Sequence, residues 1–477
     1  MADGMSKSVG AAGQVLGCVG LSRSVGLTTR LATSGEGEVW RTDWPGQVAK
    51  LYFNPSRDRI RKLEVMIAHP PADPNAAIGH HSFAWPQALL QNAVGSPVGF
   101  LMPEIAHSVG LFDVYNPQRR RTVLPGFNWL YLHVTAMNIA SITQAIHAKG
   151  YVLGDIKPQN ILVNNQALPS VIDTDSFQVR DPSSGQVYRC PVGSEGFTPP
   201  ELLGCDLAQI DQSEGHDRFR LAVIIHLLLF GDQPFKGVWT GYGDSPDPNQ
   251  LLSQGHWPYG KTTLIQPGPL TIPLETVHPE LQQCFLRCFN EGHRDASLRP
   301  SPAEWLRALK LAVADLKACR RVNCHYYSQS YGHCYWCDRK KTLGIDVFPK
   351  AALSHQQRQA KNQAAVNTLV KPLQGAAKAA ATYIGEHKLQ LSLPRSPGSR
   401  PQIPSLTLPK RWTLPERWIK YAVTTGIVST AVITVVLIGK VLMAQDDAES
   451  VVFGSLLFVG LLALWPRLVK SSDQSEK

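Results

Sequence analysis

The chain has 477 residues, a net charge of +10 and 43% apolar residues. That length holds one large or two ordinary domains plus tails, and the apolar share suits a packed core. The nine cysteines are an odd number with no even ladder of spacings, which argues against a disulfide framework, and residues 1–20 lack the apolar core of a secretory signal, so the first half is expected to fold in the cytoplasm.

In chain order, β-type runs at 38–40 and 48–52 come first, followed by a helical stretch over 57–68. Residues 129–149 carry apolar side chains at helical spacing and stop at Gly150. Residues 161–163 and 170–172 read as a short hairpin, and helices are expected over 218–230 and 303–318. Strands early and helices late predict an α+β unit of two lobes over 25–315. Cys284 and Cys288, one helical turn apart beside Phe285 and Phe289, read as buried small apolar residues.

Four further cysteines, Cys319, Cys324, Cys334 and Cys337, form a small module over 319–340. Four thiolates in that order suit a structural tetrahedral Zn2+, with His325 or His333 able to replace a cysteine; the bland alternative is reduced thiols in an aromatic patch. Residues 341–417 read as a linker, Pro- and Ser-rich, basic, extended and mobile in its second half. Two uncharged apolar runs follow, within 418–443 and 450–469, each near the ~20 residues that span a bilayer. Acidic residues Asp446, Asp447 and Glu449 lie between them; basic residues and Trp412, Trp418 and Trp465 flank them. This predicts a transmembrane hairpin with both ends in the cytoplasm.

The chemistry is concentrated in YVLGDIKPQNILV (151–163) and VIDTDSF (171–177). Asp155, Lys157, Asn160 and Asp173 stand at the spacing that phosphoryl transfer from ATP requires. A carboxylate orients the attacking hydroxyl, an ammonium steadies the moving phosphoryl, and an amide and a second carboxylate hold metal ions on the triphosphate. These motifs resemble those of eukaryotic-type protein kinases, over about residues 31–300. The closest likeness is to divergent bacterial serine/threonine kinases with an IDTDSFQ metal motif, a Cys-rich module and a membrane tail.

The resemblance implies a two-lobed fold and further roles. LATSGEGEVW (31–40) would cover the phosphates, with Gly37 in the third glycine position, Gly35 out of register and Val39 as anchor. Lys50 of VAKLY would grip the α- and β-phosphates, held by Glu64 of the following helix. Asp155 and Lys157 would be catalytic; Asn160 and Asp173 would bind Mg2+ or Mn2+. Ser194 would bond Asp155 and Lys157, Glu201 would be buried against Arg299, and Asp217 would cap the catalytic loop. Departures are also visible. Leu153-Gly154 replaces the usual His-Arg, removing the arginine that receives a phosphorylated loop. Thr174 replaces the aromatic plug, and Asp175 adds a carboxylate, read as a loop cap or a further metal contact.

The expectation is therefore a membrane-anchored kinase acting on protein substrates with ATP. An ATP-binding pseudokinase or scaffold and a nucleic-acid-binding regulator are the alternatives. The basic linker beside the apolar runs favours membrane lipid over nucleic acid as its partner. Likeness to related bacterial kinases suggests a PP2C-type phosphatase partner. The phosphorylated protein is not legible.

Overall fold

Alternating burial along short β-branched and aromatic segments closes the N-terminal lobe into a barrel. The structure, a computed structural model, describes residues 8–350. Strands β1 (Val15–Cys18), β2 (Ser24–Thr33), β3 (Gly37–Thr42), β4 (Gln47–Tyr52), β5 (Ala88–Gln91) and β6 (Pro97–Pro103) pair antiparallel in the order β1-β2-β3-β4-β6-β5. Leu16, Leu27, Trp40, Ala49, Leu51 and Leu101 fill the interior. On the opposite face, Val48, Tyr52 and Phe100 pack with Leu63 of helix α1 (Arg57–Ala68). Side chains alternate along a strand, so Lys50 shares the face of Val48 and Tyr52. Gly37 allows the close approach of β3 to β4: a Cβ there would lie 2.0 Å from the Leu51 carbonyl oxygen.

The C-terminal lobe is built around two long helices. Helix α2 (Trp129–Ala148) starts at Asn128, whose side chain accepts from the Leu130 and Tyr131 amides, and gives way to Gly150 at φ +83°. Helix α3 (Glu214–Phe230) is buried almost all round, as befits a helix at a domain centre. Helices α4 (Pro279–Phe289) and α5 (Pro302–Asp315) pack outside them, α5 entering through a capping box between Ser301 and Glu304. Strand β7 (Ser108–Gly110) joins the expected hairpin, β8 (Ile161–Asn164) and β9 (Pro169–Val171), in one sheet. Cys284 and Cys288 are buried, and burial pushes both thiols up to about 12.

Helix α3 begins at Glu214, four residues before the expected start, and three other differences from the boundaries read in the sequence change the architecture. The barrel begins before residue 25, because β1 pairs with both β2 and β5 and closes the sheet. The helix expected to 318 ends at Asp315; residues Leu316–Ala318 become a strand, β10, paired with β11 (Tyr326–Ser328). Helix α6 (Tyr335–Leu343) and the turn to Phe348, assigned to the linker from 341 onward, belong to the Cys-rich module. Phe348 is buried, with its ring 4.7 Å from that of Trp336. The rest of the expected linker and both apolar runs, 418–443 and 450–469, lie outside the described residues. Among the described residues no helix is long and apolar enough to cross a membrane.

Candidate active site and metal centre

The turn after Tyr151 places its backbone by one buried carboxylate. Asp217, near the start of α3, accepts from the Leu153 amide at 2.7 Å and the Gly154 amide at 2.9 Å, and His147 Nε2 lies 3.0 Å away. This is the cap expected for Asp217. Burial pushes its carboxyl up, but His147, Arg220 and the backbone donors outweigh that and hold it below the usual carboxylate range. Gly154 sits at φ +73°, and a Cβ there would lie 2.6 Å from Cys190 Cβ. The position that lacks the usual arginine therefore has no room for a side chain.

On that turn, Asp155 is almost fully buried and its two oxygens are divided. Lys157 Nζ lies 2.5 Å from Oδ2, and Ser194 donates to Oδ1 at 2.7 Å. Ser194 meets Asp155 as the resemblance implied, but among the described residues it makes no bond to Lys157, which reaches the other Asp155 oxygen. Asn160 Nδ2 donates to the Asp155 carbonyl at 3.2 Å, while the Asn160 carbonyl accepts from the Ile172 amide at 2.9 Å, which ties the Asp155 turn to the segment carrying Asp173. Asp173 has φ +59°, a left-handed conformation that Asp tolerates and that is costly enough to be kept only where surroundings fix it. Thr174 donates to the Ala84 carbonyl at 2.8 Å, so a hydrogen bond stands where an aromatic plug was missing. Farther along, Arg299 is buried and grips Glu201 with two bonds of 2.7 Å; Glu201 itself is about a third exposed, more open than expected.

Lys50 reaches across the lobes. Its Nζ lies 2.8 Å from Asp173 Oδ1 and 2.7 Å from Asp175 Oδ1. Burial lowers the ammonium's affinity for its proton, yet Asp175 and Asp173 outweigh burial and hold it above its ordinary value. Glu64, expected to hold Lys50, does not: it is exposed and pairs with Arg61 at 2.8 Å. The buried face of α1 carries Lys62, Leu63 and Met66 instead. In the covering loop, Gly37 and Val39 lie on β3, with Val39 packed against the second apolar cluster. Gly35 is exposed, and Glu36, awkward beside a triphosphate, turns aside to Arg59 at 2.7 Å. The sequence reading missed Tyr52, whose hydroxyl donates to Asp175 Oδ2 at 2.7 Å, and the buried position of Lys62. The 3.6-residue period placing Lys62 beside Leu63 and Met66 was the available signal.

The Cys-rich module gathers Cys319, His325, Cys334 and Cys337, with one donor atom from each within 4.8 Å of the others. Cys324 is not among them; its thiol donates to the Phe348 carbonyl at 3.0 Å. The reason is local: His325 follows on the chain and is the residue turned inward, with its Nδ1 3.5 Å from Cys337 Sγ and 3.7 Å from Cys334 Sγ. Cys319 and Cys337 sulfurs are 3.6 Å apart. A tetrahedral zinc site with ordinary bond lengths has S–S edges of about 3.8 Å and S–N edges of about 3.6 Å. The donor set fits. His325 Nε2 faces Asp346 at 3.1 Å, the arrangement in which a carboxylate fixes the ring of a ligating histidine. Burial raises the Cys319 thiol, but the Val322 and Arg321 amides outweigh it and favour the thiolate.

With the geometry in place, the comparisons align with it. Residues 100–258 match the family model described as the protein kinase domain. Over those residues the chain is similar to a protein kinase domain. The match contains Asp155, Lys157, Asn160, Asp173, Ser194, Glu201 and Asp217; Lys50 precedes it and Arg299 follows it. The chain is similar to Protein kinase YegI of Escherichia coli O157:H7, 31% identical over 317 residues, covering 64% of this chain and 48% of that protein. It is similarly 31% identical to YegI of strain K12 over 321 residues, covering 65% and 48%. Serine/threonine-protein kinase GRIK1 of Arabidopsis thaliana is 32% identical over 197 residues, covering 41% of this chain and 40% of that protein. The chain spans about half the length of the YegI proteins it matches.

Proposed function

We propose that this chain is an ATP-dependent serine/threonine protein kinase. The observation that carries the reading is the convergence of Asp155, Lys157 and Ser194 on one side of the cleft with Lys50 and Asp173 on the other. Asp155 orients the acceptor hydroxyl and takes up its proton as the acceptor oxygen bonds to the γ-phosphorus and the bond from that phosphorus to the β–γ bridging oxygen breaks, releasing ADP. Lys157 balances charge on the transferring group, and Ser194 fixes the Asp155 rotamer. Lys50 binds the α- and β-phosphates. Asn160 and Asp173 would hold Mg2+ or Mn2+, which supplies electrostatic stabilisation of the phosphates when bound. Catalysis then comes from positioning and charge rather than from a covalent intermediate.

Lys157, two residues after the base, favours serine/threonine acceptors through the family resemblance. Radiolabel transfer from ATP to protein hydroxyls by wild-type protein, and its loss in Asp155→Asn, is the expected result. Nucleotide binding without transfer in either protein would instead make it a pseudokinase.

Zn2+ is the ion proposed for Cys319, His325, Cys334 and Cys337, in a structural role because four protein ligands leave no open position. The sequence of 418–443 and 450–469 supports anchoring in an anionic membrane with the kinase domain on the cytoplasmic side. Sedimentation of the full chain with membranes, and its release on deleting those runs, tests the anchor. A PP2C-type phosphatase partner rests on family resemblance alone.

A further inference from the structure

The buried charges around Lys50 are arranged differently from those the sequence suggested. Asp175 is 5% exposed at its side chain, against 40% for Asp173. Both Asp175 oxygens point inward and both are occupied, Oδ1 by Lys50 at 2.7 Å and Oδ2 by the Tyr52 hydroxyl at 2.7 Å. Asp173 is the more open of the two, and the proposed function gives it to the metal ions. Asp175 is the carboxylate left to hold Lys50.

Helix α1 cannot readily take that task. Successive helical residues turn by about 100°, so positions 62 and 64 lie about 200° apart and cannot both face inward. Lys62, Leu63 and Met66 form the buried side, and the Met66 carbonyl accepts from Trp85 Nε1 at 2.9 Å. Rotating Glu64 inward would expose Leu63 and Met66 and break that bond. The inward position holds a cation instead: Lys62 is 8% exposed and makes no ion pair among the described residues. Burial, opposed by the field of Asp175, brings its ammonium down to about 8. The charges are thus transposed: a lysine occupies the inner helical position, and the carboxylate sits on the Asp173–Asp175 segment.

We propose that Asp175 is the positioning residue for Lys50, in place of any carboxylate on α1, so that β4 and the Asp173–Asp175 segment fix the phosphate-binding lysine without help from that helix. This rests on the kinase reading above. It also means that swinging α1 in or out does not make or break the lysine's ion pair.

The test uses the full chain, a fluorescent ATP analogue with Mg2+, steady-state kinetics and thermal melting. Asp175→Asn is expected to weaken nucleotide binding at least tenfold and to lower kcat, while Glu64→Gln stays within twofold of wild type in both. The discriminating arm is a cycle with Lys50→Met. If Asp175 acts through Lys50, Asp175→Asn adds less than twofold to the affinity loss of Lys50→Met. A merely structural role gives losses that multiply, and that result overturns the proposal. A tenfold loss in Glu64→Gln also overturns it, and this arm remains decisive if Asp175→Asn melts below the assay temperature. Wild-type protein that binds no Mg-ATP refutes the kinase reading itself and this proposal with it. Wild-type binding with an unaffected Asp175→Asn refutes the proposal alone.

Discussion

The indole of Trp336 meets that of Trp129 edge to face, with ring centroids 5.0 Å apart. Trp129 opens the long helix α2 and Trp336 lies between Cys334 and Cys337, so the Cys-rich module shares the core of the helical lobe. Its hold is reinforced by the Arg339 bond to the Leu270 carbonyl at 2.8 Å and by Arg120 stacked over the Phe348 ring at 4.8 Å.

If the module holds the proposed Zn2+, stripping it is expected to loosen the helical lobe and not the module alone. Chelation or Cys337→Ser should lower the melting temperature of the single domain transition. Trp336→Ala should cost about 3–5 kcal/mol, the usual range for a buried tryptophan. A calorimetric scan in which the main transition is unmoved by metal loss would disprove this coupling.

Asp217 makes a second prediction. Asp217→Asn keeps the shape but replaces one acceptor oxygen by a donor facing the Leu153 or Gly154 amide, inside a core where Arg220 also loses its counterion. Stability should fall by about 3 kcal/mol, and kcat should fall at least tenfold with little change in the KM for ATP. Unchanged kcat would mean that the catalytic turn holds its shape without this cap.

Activity should not depend on phosphorylation between Asp173 and Glu201. Gly154 offers no cation and Cys190 fills the space beside it. The nearby Arg220 is buried and already donates to Gln212 Oε1 at 2.8 Å. Phosphatase-treated protein is expected to keep its rate; a collapse restored by rephosphorylation would contradict this.

Two buried histidines predict the acid limb of stability. Burial lowers His133 and His226 to about 4, against backbone bonds to Trp129 and Asp232 that partly restore them. The unfolded chain binds more protons at these sites between pH 6.5 and 4, so stability falls as pH drops through that window and is fully present above it. Between pH 7 and 5 each histidine should remove on the order of 2 kcal/mol. Denaturant titrations of His133→Gln and His226→Gln should each flatten the pH slope by about one proton; an unaltered slope would show that these rings take up protons in the folded state as readily as in the unfolded chain.

The sequence by itself determined the chemistry of the cleft and the order of its parts. Asp155, Lys157, Asn160 and Asp173 were legible because they lie on short turns, where spacing along the chain nearly fixes spacing in space, and Asp217 because it stands in the first turn of a strongly apolar helix. Helices α1 and α2 were legible for the same reason: their caps and periodicity are local. The tertiary structure alone decided which charges meet. Glu64 and Lys62 are two residues apart, and only the packing of Leu63 and Met66 under the barrel turns the lysine inward. Cys324 and His325 are adjacent, and only the closure of the turn onto Asp346 and Phe348 selects the histidine. Asp175 and Lys50 are far apart in the chain, and their bond exists because two lobes close over it. Long-range pairing depends on the whole core, which no local pattern encodes.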